Sequence, residues 1–288
     1  MKNFRVYLFA LFLIACFNTK TFAQQQQPRI PEASSTQTLI QDFGLGKITV
    51  TYSRPNVRDR KIFGGIQPYG EVWRTGANWA TTITFSEETT VEGNKVPAGT
   101  YALFTIPGEK EWTIILNNTP KQWGAYTYKQ SDDFIRFKVP SINLKEKRET
   151  FTIAFANVTT KTCDFYLLWD YTAVAIKMGT NDDAQIVANI DQLMKGPKKP
   201  YFNAIQYYYE NNHDLNKALA WAQEAEKAEP KAPWFKLWKA RVLLKLGRKQ
   251  EAITAAQEGV GLAKSSDDDE YVRLNEAVLA KAMYSDSK

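Results

Sequence analysis

The residues best suited to chemistry fall in one stretch, Ser53–Phe85, which reads SRPNVRDRKIFGGIQPYGEVWRTGANWATTITF. It holds Arg54, Arg58, Arg60 and Arg74, the aromatics Tyr69, Trp73 and Trp79, and the polar residues Glu71 and Asn78. A guanidinium group presents a planar fork of donors that matches carboxylate or phosphate oxygens. Aromatic faces stack on sugars or hold cations. Arg54, Arg58, Arg60, Tyr69, Glu71, Trp73, Arg74 and Asn78 are therefore the candidate residues for binding a small anionic, sugar-like or peptide ligand. A second aromatic run, Trp123–Tyr128, is a candidate pocket wall. A structural role accounts for the same residues equally well. Arginine, with five donors, satisfies buried loop carbonyls, and Asp59 and Glu71 neutralise nearby cations.

Catalysis is less well supplied. The chain contains one histidine, His213, far from this stretch, so Ser-His and Cys-His arrangements and multi-histidine metal sites are not expected there. Acid–base work would fall to Asp59, Glu71 or a tyrosine, helped by Arg54 or Arg74. No nucleophile, base and orienting group assemble from the spacing. No catalytic residue, metal or cofactor is assigned. A cell-envelope enzyme working without histidine stays as the alternative to a non-enzymatic binding module.

The start of the chain bears on where this happens. Residues 1–23 have a charged start (Lys2, Arg5), an apolar run and the small-residue ending Thr21-Phe22-Ala23, the layout of a signal peptide. The expected protein is periplasmic or secreted. A rival cut at Leu13-Ile14-Ala15-Cys16 would leave a lipidated Cys16, the one route by which a membrane becomes a partner. Export disfavours ATP and nicotinamide cofactors. The formal charge of +6 loses the three leader cations Lys2, Arg5 and Lys20, leaving +3. That balance lacks the basic excess of a nucleic-acid binder. Of the two cysteines, only Cys163 lies beyond the leader, in an alternating pattern that reads as a buried, inert thiol.

Two kinds of element must position the candidates. After a polar linker over 24–35, short alternating runs begin at Lys47 and recur to Lys177, separated by turns rich in Gly, Pro and Asn. Eight or nine such strands predict an all-β antiparallel sandwich or jelly-roll-like barrel over 36–177. After a short linker over 178–184 the period changes to helical, and 185–285 reads as an all-α domain. Ala218, Ala222 and Ala225 recur 34 residues later as Ala252, Ala256 and Gly259, the spacing of small residues in a tetratricopeptide repeat. His213 and Gly247 share that spacing, so His213 is expected at a left-handed turn between paired helices. Stacked helix pairs form concave surfaces for a protein partner, so a third reading is a scaffold that acts only through the repeats.

The strings YSRPNVRDRKIFGGIQPYGEVWRTGANWATTITF and VPAGTYALFTIPGEKEWTIILN resemble the secreted bacterial family catalogued as domain of unknown function 2911. The likeness spans about Ser34–Lys177, and members often resemble the leader and the helical tail as well. It implies an exported setting and the boundary of the β-domain. It implies no activity, substrate or catalytic residue.

Overall fold

The computed structural model describes residues 30–284, so the leader, Cys16 and the first half of the polar linker lie outside the described residues. The chain divides into two compact units, Met1–Gly179 and Thr180–Lys288.

The first unit is a nine-stranded antiparallel sheet in the order β1-β2-β3-β6-β7-β8-β9-β4-β5. Its strands are β1 (Ser35–Phe43), β2 (Gly46–Arg54), β3 (Thr81–Phe85), β4 (Thr89–Val91), β5 (Asn94–Val96), β6 (Gly99–Ile106), β7 (Glu111–Asn117), β8 (Asp133–Ala156) and β9 (Thr162–Thr180). Alternation fits: Ile48, Val50 and Tyr52 are buried, while Thr49 and Thr51 between them are only half-buried. Strand β8 turns the sheet back on itself. Its first part pairs with β7, as in Trp112↔Val139, and its second with β9, as in Phe155↔Phe165, with register shifts around Arg148. The fold-over brings β8 against β2, which is four places away in the order. There the Tyr52 hydroxyl accepts from the Ile153 amide at 3.0 Å and donates to Gln37 at 2.7 Å. Inside lies a core drawn from every strand, and Ala80, Ala102, Phe104 and Ile115 form a second, smaller apolar cluster.

Three sequence expectations change. The run Ser35–Phe43 is an edge strand whose outward polar residues hid its alternation. Asn94 and Lys95, which read as the end of a turn over Glu92–Lys95, belong to a short strand, Asn94–Val96, that pairs with Thr89–Val91. The expected linker over 178–184 is largely structured, with β9 reaching Thr180 and a helix beginning at Asp183.

Among the described residues the second unit contains six helices: α1 (Asp183–Leu193), α2 (Tyr201–Glu210), α3 (Leu215–Ala228), α4 (Pro233–Lys245), α5 (Lys249–Ser265) and α6 (Asp269–Tyr284). The small residues read from the repeat, Ala218, Ala222, Ala225, Ala252, Ala256 and Gly259, are all buried. They let neighbouring helices approach closely. His213 needs correction. The left-handed turn residue is Asn212 (φ 57°), whose counterpart is Gly247 (φ 77°). The His213 and Arg248 amides close equivalent bonds to Tyr208 and Leu243, so both helices end in a Schellman-type turn. The second turn is one residue shorter, which shifts the match at this point only. His213 instead lies parallel to Tyr207 and meets Asp183 through Nε2 at 2.9 Å.

Candidate functional site

The stretch after β2 folds without regular structure yet is tightly held. Just past Arg54, the Phe151 amide donates to Pro55 (2.8 Å) and the Val57 amide donates to Glu149 (2.7 Å). This continues β2 as a seam against β8. Trp73 then exchanges two backbone bonds with Thr105 on β6 (2.7 and 2.9 Å). Arg58 and Asp59 between these anchors, and Thr75 and Asn78 just past the second, all adopt φ between 50° and 58°. For Thr75, a β-branched residue, that backbone is strained. Its fully buried side chain and carbonyl are held by Thr105 (3.2 Å) and Thr81 (2.6 Å). Strain of about 1–3 kcal/mol per residue persists only where surroundings enforce it, and such residues cluster at functional sites.

A cleft of ≈ 320 Å³ opens beside this stretch. Arg58, Arg60 and Arg74 line it, with Asn56 and Gln67, above buried Trp73 and Trp169. The eight candidates therefore divide. Arg58, Arg60, Trp73 and Arg74 come together at the cleft, while Arg54, Tyr69, Glu71 and Asn78 do not line it.

The residues outside the cleft have other work. Arg54 clamps the seam, donating from Nε to the Phe151 carbonyl and from Nη2 to Thr152, both at 3.1 Å. Tyr69 lies across Gly64, where an added Cβ would sit 2.6 Å from its ring. Glu71 is exposed. Asn78 reaches back to Glu32 and the Ser34 carbonyl at 3.4 Å.

The cleft residues differ in freedom. Arg60 curls onto the Val57 and Asn56 carbonyls (2.9 and 2.6 Å), and Arg74 gives Nη1 to the Asn78 carbonyl (2.9 Å). These bonds leave guanidinium donors unused. The Arg58 side chain is exposed and makes no hydrogen bond among the described residues; its amide donates to Glu149. Among the described residues none of the three forms an ion pair. Trp73 is no stacking face: it is 6% exposed, lies parallel to Trp169 at 5.5 Å and meets Phe151 edge-on at 5.1 Å.

Sequence reasoning missed Asn56, Gln67 and Trp169. Trp169 reads correctly as a core strand residue, but only the pairing of β9 carries it under a loop some hundred residues earlier. The run Trp123–Tyr128 does not wall the cleft. Trp123 pairs with Trp79 elsewhere on the unit, and Tyr128 is held through its hydroxyl to Asp133 (2.8 Å). Burial pushes the Tyr128 hydroxyl up to about 12, and its bond to Asp133 adds to this. Burial likewise raises the Cys163 thiol to about 11, which leaves it protonated and unreactive. No group of acids, cysteines and histidine suited to a metal occurs among the described residues. Nor is any helix there long and apolar enough to cross a membrane.

The folded sheet with its strained arginine loop is the part of the chain that a known family describes. Residues 34–178 match DUF2911, described as a protein of unknown function, and the chain belongs to that family. No curated protein and no solved structure matches it.

Proposed function

We propose that this is an exported, non-enzymatic binding protein whose β unit takes a small anionic ligand in the cleft beside Arg58, Arg60 and Arg74. The observation that carries the reading is uncompensated charge. Three guanidinium groups face one cleft, and among the described residues no carboxylate pairs with them. Like charges held together without counterions repel, and a carboxylate or phosphate relieves that repulsion while accepting from the unused donors. A sugar-like occupant is less favoured at this cleft, because Tyr69 lies outside it and the Trp73 ring is covered. The acid–base groups Asp59 and Glu71 are not among its lining residues, which favours binding over turnover. Export rests on the leader pattern of residues 1–23, and a protein partner for the helices rests on the paired-helix repeat.

Titration calorimetry of the full chain with inorganic phosphate and with citrate tests the reading. Saturable binding of at least one is expected, weakened about tenfold by Arg58→Gln. The melting temperature of that variant should not change, because the side chain holds nothing in the fold. Absence of binding by both anions, or equal binding by wild type and variant, overturns it.

A further inference from the structure

Two of the molecule's most conspicuous aromatics are unused by the arginine cleft. Trp79 is 58% exposed and Trp123 is 51% exposed. Full burial of a large apolar side chain is worth about 1.5–3 kcal/mol, and neither indole gains most of that here. Yet both are firmly held. Their backbones form an antiparallel bridge flanked by bonds from Ala80 to Gln122 (2.9 Å) and from Gly124 to Asn78 (3.0 Å). The rings meet at 90° with centroids 5.3 Å apart, so they form a rigid corner with one indole as floor and the other as wall.

A hollow of ≈ 250 Å³ adjoins this corner, with Trp79 in its lining. The other lining groups are chemically mixed. Ala80 and Pro120 are apolar, Thr36, Ser53 and Thr82 bring hydroxyls, and Lys121 brings an ammonium group. The Thr36 and Ser53 hydroxyls meet each other at 3.4 Å, but a purely apolar partner would leave Thr82 and Lys121 without a polar contact. A purely anionic one would leave the indoles unused.

We infer that this corner is a carbohydrate-binding site for gluco-configured pyranose rings. Such a ring carries its hydroxyls around the equator and its axial C–H bonds on the two faces. The faces stack on an indole, and the equatorial hydroxyls exchange hydrogen bonds with threonine, serine and lysine at the rim. An indole held in place by a backbone bridge loses little entropy on binding. The inference does not rest on the anion cleft, since the two sets of lining residues are disjoint.

The probe is cellotetraose, a neutral β-linked oligosaccharide, titrated into the full chain by calorimetry. Saturable millimolar or tighter binding is expected, weakened about tenfold or more by Trp79→Ala and by Trp123→Ala. Trp123→Phe, which keeps an aromatic face, should recover part of the loss. Because both side chains are more than half exposed, the alanine variants should keep the wild-type melting temperature. Arg58→Gln should leave cellotetraose binding intact, so the two sites fail independently. The inference is overturned if no saturable binding occurs, if the tryptophan variants bind as wild type, or if Arg58→Gln abolishes sugar binding. It is also overturned if the tryptophan variants change only the oligomeric state, since the corner would then be a contact between copies.

Discussion

The loop after β2 and the helical unit reach order by opposite routes. The helices repeat one local solution: small residues fall at fixed spacing, and α2 and α4 close through the same kind of turn, at Asn212 and at Gly247. Nothing in the segment from Pro55 to Ala80 repeats. Beyond local turns between Val57 and Gln67, its backbone bonds reach Glu149, Phe151, Thr105, Pro107, Gln122 and Gly124, all distant in sequence. It spends backbone strain at Arg58, Asp59, Thr75 and Asn78 where the helices need it at turn residues alone. A locally encoded region tolerates change residue by residue. A region held by distant partners fails when its central anchor goes.

Trp73 is that anchor, so its removal gives the largest effect. The indole touches Phe63, Trp112, Phe151 and Trp169, and its Nε1 donates to the Gly76 carbonyl at 3.0 Å. Truncating a buried tryptophan costs about 3–5 kcal/mol. Trp73→Ala should therefore strip hydrogen-exchange protection from residues 35–180, measured by mass spectrometry. Protection in 183–284 should persist, since the helical core shares no residue with the β core. Equal loss in both units would break the comparison.

The helical unit predicts an intermediate effect whose sign depends on position. Gly259 faces Asn275, and a Cβ there would lie 2.1 Å from Oδ1 of that fully buried side chain. Crowding of this kind costs roughly 1–3 kcal/mol, more than the helix propensity alanine adds. Gly261, two residues on, has nothing within 4 Å of the same position. Gly259→Ala should thus lower the urea midpoint, while Gly261→Ala should raise it by up to about 1 kcal/mol of stability. If both substitutions stabilise, Gly259 is not a contact point between helices.

The same contrast explains what could be read in advance. The repeat is a statement about neighbours in sequence, so Ala218 and Ala252 announce themselves. The strand pattern is nearly as local, and most strands follow from alternation. Edge strand β1 escaped because an edge strand with one solvated side dilutes that alternation with Thr and Gln. For the loop, composition identifies the unusual residues but not their use. Arg54 and Arg58 are the same residue type four positions apart. One clamps the seam to β8 and the other is free at the cleft. Which arginine does which depends on where Phe151 and Glu149 arrive, and that is set by the bend of a 24-residue strand. The pairing of Trp79 with Trp123 is hidden for the same reason.

The smallest predicted effect concerns a polar clamp built locally inside the β unit. Tyr128 lies edge-on to Phe104 at 5.1 Å and donates to Asp133. Arg136 in turn donates to both, at 2.7 Å to the Tyr128 hydroxyl and 2.8 Å to Asp133. With the hydroxyl raised to about 12 from its ordinary value of 10, the unfolded chain releases this proton before the native chain does. Its contribution to stability is fully present below pH 10 and is lost as pH climbs through 12. Tyr128→Phe removes that dependence along with the bond. The gap between wild type and variant should be constant below about pH 10 and narrow above it. Denaturant melts at stepped alkaline pH read this directly. A gap that stays constant across the window would mean that the loop over β6 and β7 is held by the ring of Tyr128 alone. The clamp would then belong with the packed core, and not with the few locally made features of this unit.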